Sequence, residues 1–306
     1  MNFFEILDRL KSKESALVIY CLLDRIPIIV FGDNSNEVND FIIELSELTH
    51  FRKEIVFYTD FISEFEYESL MQIEDNDYNS QRIHVRCPCE VSLKALNHFD
   101  NFNSWIIGMI IPKRIEELQL LKNLIKIKIQ GLLIIKIVDN KVLISLEGVD
   151  IKSIDLTFEE NILKKIFKDT DDSIIRMRRV LTDKIKSKKV NNDFMDTLLD
   201  FSVEKNELKK NIFNKELHNF YSASKRAFFI LSRLKLLNNL KISAKIGSRT
   251  LLKTIDYEQV YVEGIVSAPL NRIVTFIHKE WRENFSDLIQ DSKKVDFEEK
   301  IQSLWV

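Results

Sequence analysis

Residues 27–48 read PIIVFGDNSNEVNDFIIELSEL, and this stretch decides the predicted fold. It begins with a short apolar run that ends in Gly32, a pattern typical of a buried strand followed by a turn. The apolar residues that follow have helical spacing, at Val38, Phe41, Ile42, Leu45 and Leu48. A strand, a loop and a helix in this order form the repeating unit of an α/β fold.

The same unit recurs along residues 1–150. Three more apolar runs each precede a segment with helical spacing, at residues 54–61, 82–87 and 104–111, and the later two helical segments cover 90–99 and 115–125. This order predicts a largely parallel sheet with flanking helices. Residues 132–139 and 141–146 flank an Asp139-Asn140 turn and predict an antiparallel hairpin at the sheet edge. We therefore assign residues 1–150 to an α/β domain.

Residues 151–306 carry helical spacing almost throughout and predict a mostly helical domain. The predicted elements are helices at 158–168, 173–189, 194–240 and 273–289, with a strand or small hairpin at 259–267. Breaks are expected at 190–193 and near 221–224, where Ser222 or Ser224 would cap a new helix. A length of 306 residues also favours two domains.

The composition is that of a globular protein, with 45% hydrophobic and 30% charged residues. Only 6 Gly and 4 Pro are present, which argues against glycine-rich ligand loops. The 3 Cys are an odd number, and no stretch resembles a secretion signal, so we expect a cytoplasmic protein. The longest apolar stretches are too short to span a bilayer, so no membrane association is expected.

Charge is unevenly distributed, although the net charge of -2 favours no class of partner. Residues 54–81 contain eight acidic residues and no Lys or Arg, and we name them the acidic block. Residues 217–255 contain eight Lys and Arg and no Asp or Glu, and we name them the basic run. The basic run is compatible with nucleic acid, with an acidic protein partner, or with neutralisation of the acidic block inside the fold.

The loop at residues 32–37 (GDNSNE) occupies the position where many α/β folds bind phosphate. It offers a single glycine and no lysine, and the carboxylates of Asp33 and Glu37 would repel a phosphate. Asn34 or Ser35 is expected to cap the helix instead. Asp60 ends a predicted strand where a nucleotide hydrolase places a metal-binding acid, but without a phosphate loop we expect a turn residue. The domain therefore resembles a degenerate nucleotide-binding fold in topology only, with no cofactor predicted.

Three possible metal ligands lie close together at His84, Cys87 and Cys89. Their spacing is unlike that of zinc sites, and only Cys21 and His98 remain as nearby partners. On a strand, His84 and Cys87 would point to opposite faces. We expect buried structural cysteines and no metal.

The order of elements in residues 223–267 is a helix, the segment ISAKIG, the segment SRTLLKTI and then Glu263-Gly264-Ile265-Val266. This order resembles the winged-helix DNA-binding family, in which a recognition helix precedes a wing that begins with a glycine. The resemblance implies a DNA-binding segment. It would place four residues toward a DNA groove, namely Ser248, Arg249, Thr250 and Lys253.

Standard catalytic motifs are absent from the sequence, so no catalytic residue is predicted and enzymatic activity is not expected. The leading hypothesis is a regulatory or scaffolding protein that presents a basic surface to an acidic protein partner or nucleic acid. The residues assigned to that surface are Lys225, Arg226, Arg233, Lys245, Ser248, Arg249, Thr250 and Lys253. A DNA-binding regulator and a degenerate nucleotide-binding domain are the alternatives. The oligomeric state stays open, and the terminal residues 304–306 are expected to fold back onto the core.

Overall fold

A six-stranded sheet forms the centre of the first half of the molecule. The computed structural model describes residues 3–76, 81–95, 104–111, 131–138, 141–186, 200–257 and 267–290. The strands are β1 (Ile28–Gly32), β2 (Lys53–Val56), β3 (Ile83–Cys87), β4 (Trp105–Ile110), β5 (Leu132–Val138) and β6 (Lys141–Glu147). Their order in the sheet is β2-β3-β4-β1-β5-β6. The first five are parallel and β6 pairs antiparallel with β5, which confirms the predicted sheet and its edge hairpin.

The central strands are apolar throughout because both faces of the sheet are covered. All five residues of β1 are buried. Ile28 and Val30 belong to one buried cluster, whereas Ile29 and Phe31 belong to a second cluster on the opposite face. The alternation follows from the two-residue period of a strand.

The helices of this half are α1 (Phe3–Arg9), α2 (Ser12–Leu23), α3 (Ser35–Glu47), α4 (Glu64–Asn76) and α5 (Ser92–Ala95), with a 3-10 turn at Cys89–Val91. Helix α3 lies very close to the sheet, and two glycines permit this approach. A Cβ atom on Gly32 would lie 2.5 Å from Val38 Cγ2, and one on Gly108 would lie 3.0 Å from Val38 Cγ1. The chain needs these glycines for packing.

Strand β2 is shorter than the predicted strand at 54–61. It ends at Val56 because the chain then turns, with Tyr58 in the left-handed region at a φ of 72°. Asp60 stabilises the turn by accepting a hydrogen bond from the amide of Val56 at 2.7 Å. Asp60 therefore acts as the turn residue that its position suggested.

The second half is helical, with α6 (Thr157–Lys186), α7 (Ser202–Asn239), α8 (Ser248–Thr254) and α9 (Ser267–Trp281). Short 3-10 turns lie at Ile151–Ser153 and Ser286–Leu288, and β7 (Ile246–Gly247) pairs in parallel with β8 (Ile289–Gln290). The structure therefore confirms the predicted change from an α/β first half to a mostly helical second half.

Two predicted helix boundaries are wrong. Helix α6 runs unbroken through 169–172, between the two predicted helices, and the hydroxyls of Thr170 and Ser173 donate hydrogen bonds to the carbonyls four residues earlier. Helix α7 likewise continues past 221–224. Buried residues at helical spacing, Phe220, Ala223 and Ala227, keep one face of α7 in the core across the predicted break. Neither Ser222 nor Ser224 is a cap.

The last predicted helix, 273–289, is also too long. Helix α9 ends at Trp281, and Arg282 then adopts a left-handed φ of 58° that turns the chain. Several predictions lie outside the described residues: the helix at 115–125, the turn at 139–140, the break at 190–193, residues 259–266 of the predicted strand at 259–267, and the tail at 304–306. Among the described helices, none is both long and apolar enough to cross a bilayer.

The two halves pack against each other. A single buried cluster contains side chains from both, and Phe51 stacks on Tyr221 of α7 with ring centroids 4.4 Å apart. Arg272 of α9 forms buried ion pairs with Asp24 and with Glu159 of α6. The assignment of two domains with a boundary near 150 stays a prediction.

Candidate functional site

The cations of the basic run lie on the surface of the C-terminal part of α7 and on the segment that follows it. The exposed members are Arg226, Arg233, Lys241, Lys245, Arg249 and Lys253, whereas Lys225 and Lys235 are partly buried. The ion pair of Lys235 is with Glu283, at 2.5 Å between Nζ and Oε2. Glu54 of the acidic block pairs instead with Arg86 of β3. These pairs join the two charged segments to other parts of the fold.

Large apolar side chains are exposed among these cations. Phe229 is 39% exposed, Leu236 50%, Leu240 63% and Ile242 55%. Phe229, Leu236 and Leu240 are seven and four residues apart, so they lie along one face of α7. Phe229 and Leu236 also line a groove of about 320 Å³, together with Glu283 and Phe285.

The backbone at the end of α7, which carries Leu240 and Ile242, has a defined conformation. The amide of Ile242 donates to the carbonyl of Leu237 at 3.0 Å, and that of Lys241 donates to Asn238 at 2.9 Å. Lys241 has a left-handed φ of 63°. This is the Schellman arrangement of a helix C-terminus, in which the residues before and after the turn also make apolar contact. The exposed leucines are therefore part of an ordered surface.

Asn238 adds a second restraint to this helix end. Its side chain accepts a hydrogen bond from the amide of Ala244 at 2.6 Å and donates one to the carbonyl of Ala244 at 3.0 Å. The segment after α7 is thereby held against the helix. We name the whole region the α7-end surface, which consists of Phe229, Arg233, Leu236, Leu237, Leu240, Lys241, Ile242 and Lys245.

Sequence reasoning found the cations of this surface and placed Phe229 and Leu236 among them on the helical wheel, but it missed the exposure of Leu237, Leu240 and Ile242. On a helical wheel of residues 223–240, Leu237 lies on the apolar face together with Ala223 and Ala227, yet it is 36% exposed.

The segment that the winged-helix resemblance predicted as a recognition helix is helical in the structure, where it forms α8 and begins at Ser248. Arg249, Thr250 and Lys253 are exposed and Ser248 is partly buried, while Leu251 and Leu252 pack into the core. These polar residues lie on a separate helix from the α7-end surface. Residues 263–266, which would form the wing, lie outside the described residues.

No protein-family model, curated protein or solved structure matches the chain. Its function is therefore inferred from its own residues.

The loop after β1 positions helix α3 against the sheet. The side chain of Asn34 caps α3 by accepting a hydrogen bond from the amide of Asn36 at 3.0 Å, as expected for this position. Asp33 and Glu37 are exposed beside that amide end. Gly32 is required by its contact with Val38, as described above. In this loop, Gly32 and the cap residue Asn34 therefore both serve to attach α3 to the sheet.

The cysteines and His84 do not come together. Cys87 lies in the cluster on one face of the sheet and Cys89 in the cluster on the other face. Burial raises the pKa of the Cys87 thiol well above its ordinary value and that of Cys89 to about 12, so both are protonated at neutral pH and are poor ligands. Among the described residues, no group of three possible metal ligands is close enough to bind an ion.

Proposed function

We propose that the chain is a non-enzymatic interaction protein whose α7-end surface binds an acidic, partly apolar segment of a protein partner. The observation that carries the proposal is the exposure of Phe229, Leu236, Leu240 and Ile242 among cations, in residues 217–255 that contain no Asp or Glu. Ordered apolar side chains at a surface gain free energy when a partner covers them. The surrounding cations select a partner with negative charge.

The apolar composition favours a protein partner over nucleic acid. Surfaces that bind nucleic acid combine cations with aromatic rings, on which bases stack, or with polar groups that contact phosphates. Here Phe229 is accompanied by aliphatic side chains, which neither stack on bases nor contact phosphates. An amphipathic helix with acidic flanks could pack its apolar face on the leucines and form ion pairs with the cations.

The test is a fluorescence anisotropy titration with a labelled 20-residue peptide that carries Leu and Phe at helical spacing and Glu on both flanks. We expect saturable binding that weakens with added salt. The double variant Arg233→Glu/Lys241→Glu is expected to weaken binding by about tenfold or more, and Leu236→Ser/Leu240→Ser by a similar factor that is less sensitive to salt.

The matched control is Arg176→Glu/Arg179→Glu, which reverses two exposed charges on α6. It should leave peptide binding within about twofold of the unmodified chain. A 20-base-pair DNA duplex is titrated in parallel. Tight binding of the duplex without binding of the peptide would favour the DNA-binding alternative, and binding of neither probe would end the proposal. Nucleotide hydrolysis that Asp60→Ala abolishes would contradict a non-enzymatic role.

A further inference from the structure

A second surface with exposed apolar side chains lies on α4 and the turn before it. Its charge is negative, opposite to that of the α7-end surface. Tyr58 is 48% exposed, Ile62 58% and Phe65 78%. The exposed carboxylates around them belong to Asp60, Glu64, Glu66 and Glu68. We name these seven residues the acidic face.

The acidic face is held rigidly by the start of α4. Glu66 accepts hydrogen bonds from the amides of Ile62 and Ser63, and the Ser63 hydroxyl accepts one from the amide of Glu66, which together form a capping box. The two amide hydrogen bonds lower the pKa of Glu66, so it stays ionised at neutral pH. Phe61 and Tyr67 anchor the same segment in the core. Phe65 is therefore presented to solvent from a fixed backbone.

A cation also shapes this face. Lys94 donates a hydrogen bond to the Tyr58 hydroxyl at 2.8 Å, and its Nζ lies 4.1 Å from the centre of the Tyr58 ring. The contact fixes the orientation of Tyr58 at one side of the face. The remaining charges are carboxylates, so the face keeps a net negative charge.

The two surfaces complement each other in charge and in apolar content. One presents Phe229 and leucines among Arg and Lys, and the other presents Phe65 and Ile62 among Asp and Glu. Because Phe65 and Leu240 are both largely exposed, the two surfaces do not cover each other within one chain. Both halves of a matching pair are therefore present on every copy of the protein, at equal concentration.

We propose that the acidic face of one copy docks on the α7-end surface of a second copy, so that the chain assembles head to tail. The proposal rests on the proposed function, since it names the partner that the α7-end surface binds. A contact between two different surfaces is heterologous, and each added copy leaves one surface of each kind open. Assembly therefore proceeds to a ring or to an open oligomer and does not stop at a symmetric dimer.

The test uses sedimentation velocity of the full chain at concentrations from about 1 to 100 µM and at low ionic strength, the range in which weak surface contacts form. The average mass is expected to rise with concentration above the monomer mass of 36.1 kDa and to fall when salt is added. Two variants each remove one surface. Glu64→Lys/Phe65→Ser removes the acidic face, and Arg233→Glu/Leu240→Ser removes the α7-end surface.

Each variant alone is expected to remain monomeric, because its surviving surface finds no match. An equimolar mixture of the two should form a dimer of twice the monomer mass and nothing larger, since each chain contributes the surface that the other lacks. Arg176→Glu/Arg179→Glu serves as the control and should assemble like the unmodified chain. Matching thermal unfolding curves for all four proteins establish that the variants are folded.

A combined charge exchange gives a second, independent measurement. The variant Glu64→Lys/Glu68→Lys/Arg233→Glu/Lys241→Glu reverses both surfaces and should recover assembly. An unmodified chain that stays monomeric at every concentration, or a mixture that yields no dimer, would overturn the proposal. If the acidic peptide still binds the monomeric chain, the α7-end surface has another partner and the proposed function stands. If the peptide also fails to bind, both proposals fall.

Discussion

Arg52 and Glu280 form an ion pair in which both side chains are fully buried. Arg52 Nη2 lies 2.6 Å from Glu280 Oε2, and its two terminal nitrogens also donate to the carbonyls of Leu22 and Leu23. Burial acts to raise the pKa of Glu280, but the charges of Arg52 and Arg25 bring it below its ordinary value. The pair therefore stays ionised at neutral pH and joins the α/β half to the helical half.

Arg52→Met is expected to lower the free energy of unfolding by about 3–5 kcal/mol, because it leaves Glu280 charged and uncompensated in the core. Urea unfolding at pH 7, followed by circular dichroism, measures the loss. The double variant Arg52→Met/Glu280→Met should recover most of it, since two apolar side chains need no counter-charge.

The matched control is Lys205→Ala, which breaks the exposed pair between Lys205 and Asp171. Its effect should stay below about 1 kcal/mol. Equal losses for Arg52→Met and Lys205→Ala would mean that burial of the Arg52–Glu280 pair has no energetic consequence.

His84 is expected to make the free energy of unfolding depend on pH. It is 1% exposed and its Nδ1 lies 3.0 Å from the Thr49 hydroxyl, while its Nε2 has no hydrogen-bond partner among the described residues. Burial, with the positive charges of Arg52, Arg25 and Arg86, lowers its pKa to about 3. In the unfolded chain the pKa is about 6.5. Above that pH both states hold a neutral imidazole and His84 has no effect.

Below about pH 6, His84 is protonated in the unfolded chain but stays neutral in the folded chain. The free energy of unfolding therefore decreases as the pH falls toward 3, by about 1.4 kcal/mol per pH unit. His84→Asn is expected to remove this contribution, because its amide can keep a hydrogen bond to Thr49 without titrating. Urea unfolding at several pH values between 4 and 7 compares the slopes. A variant with the slope of the unmodified chain would show that another group is responsible.

The sequence was sufficient for the strands and for most helices of the α/β half, because apolar runs and helical spacing are local signals. The position of β1 between β4 and β5 carried no such signal. Strand neighbours are chosen by packing and connection geometry, which periodicity does not encode. The Arg52–Glu280 pair joins residues 228 positions apart and was likewise invisible to local patterns.

The sequence predicted the cations of the candidate site but not the exposure of all its apolar side chains, because only local properties can be read from a sequence. Charge is a property of the residue, so the cations of the basic run could be read directly. Exposure depends on what the rest of the chain covers. Leu237 and Leu240 were therefore recognised as surface residues only once the position of α7 against the core was known.

Gly32→Ala is expected to destabilise the protein by about 1–3 kcal/mol, because the new methyl group would overlap Val38 of α3. Val38→Ala alone also destabilises, since it removes buried apolar atoms. The combination Gly32→Ala/Val38→Ala should lose clearly less than the sum of the two, because the smaller residue makes room for the added methyl. If the double variant instead loses as much free energy of unfolding as the two single variants together, the strain in Gly32→Ala does not come from contact with Val38.

Ser224→Ala tests whether α7 is continuous. Ser224 is fully buried, and its Oγ has no hydrogen-bond partner within the described residues. Removing that hydroxyl should leave stability unchanged or raise it by up to about 1 kcal/mol. Asn34→Ala, which removes the cap of α3, should instead cost about 1 kcal/mol. A loss of similar size for Ser224→Ala would mean that Ser224 caps a helix after all.

Lys241→Gly separates stability from binding at the α7-end surface. Lys241 holds a left-handed conformation, which costs a side chain about 1 kcal/mol and costs glycine almost nothing. The variant should therefore unfold at a higher urea concentration than the unmodified chain. It also removes an exposed cation from the surface, so the affinity for the acidic peptide should fall. A protein that is more stable but binds more weakly shows that Lys241 contacts the partner, because loss of structure can no longer explain the weaker binding. Unchanged affinity would remove Lys241 from the contact area and confine it to the helix end.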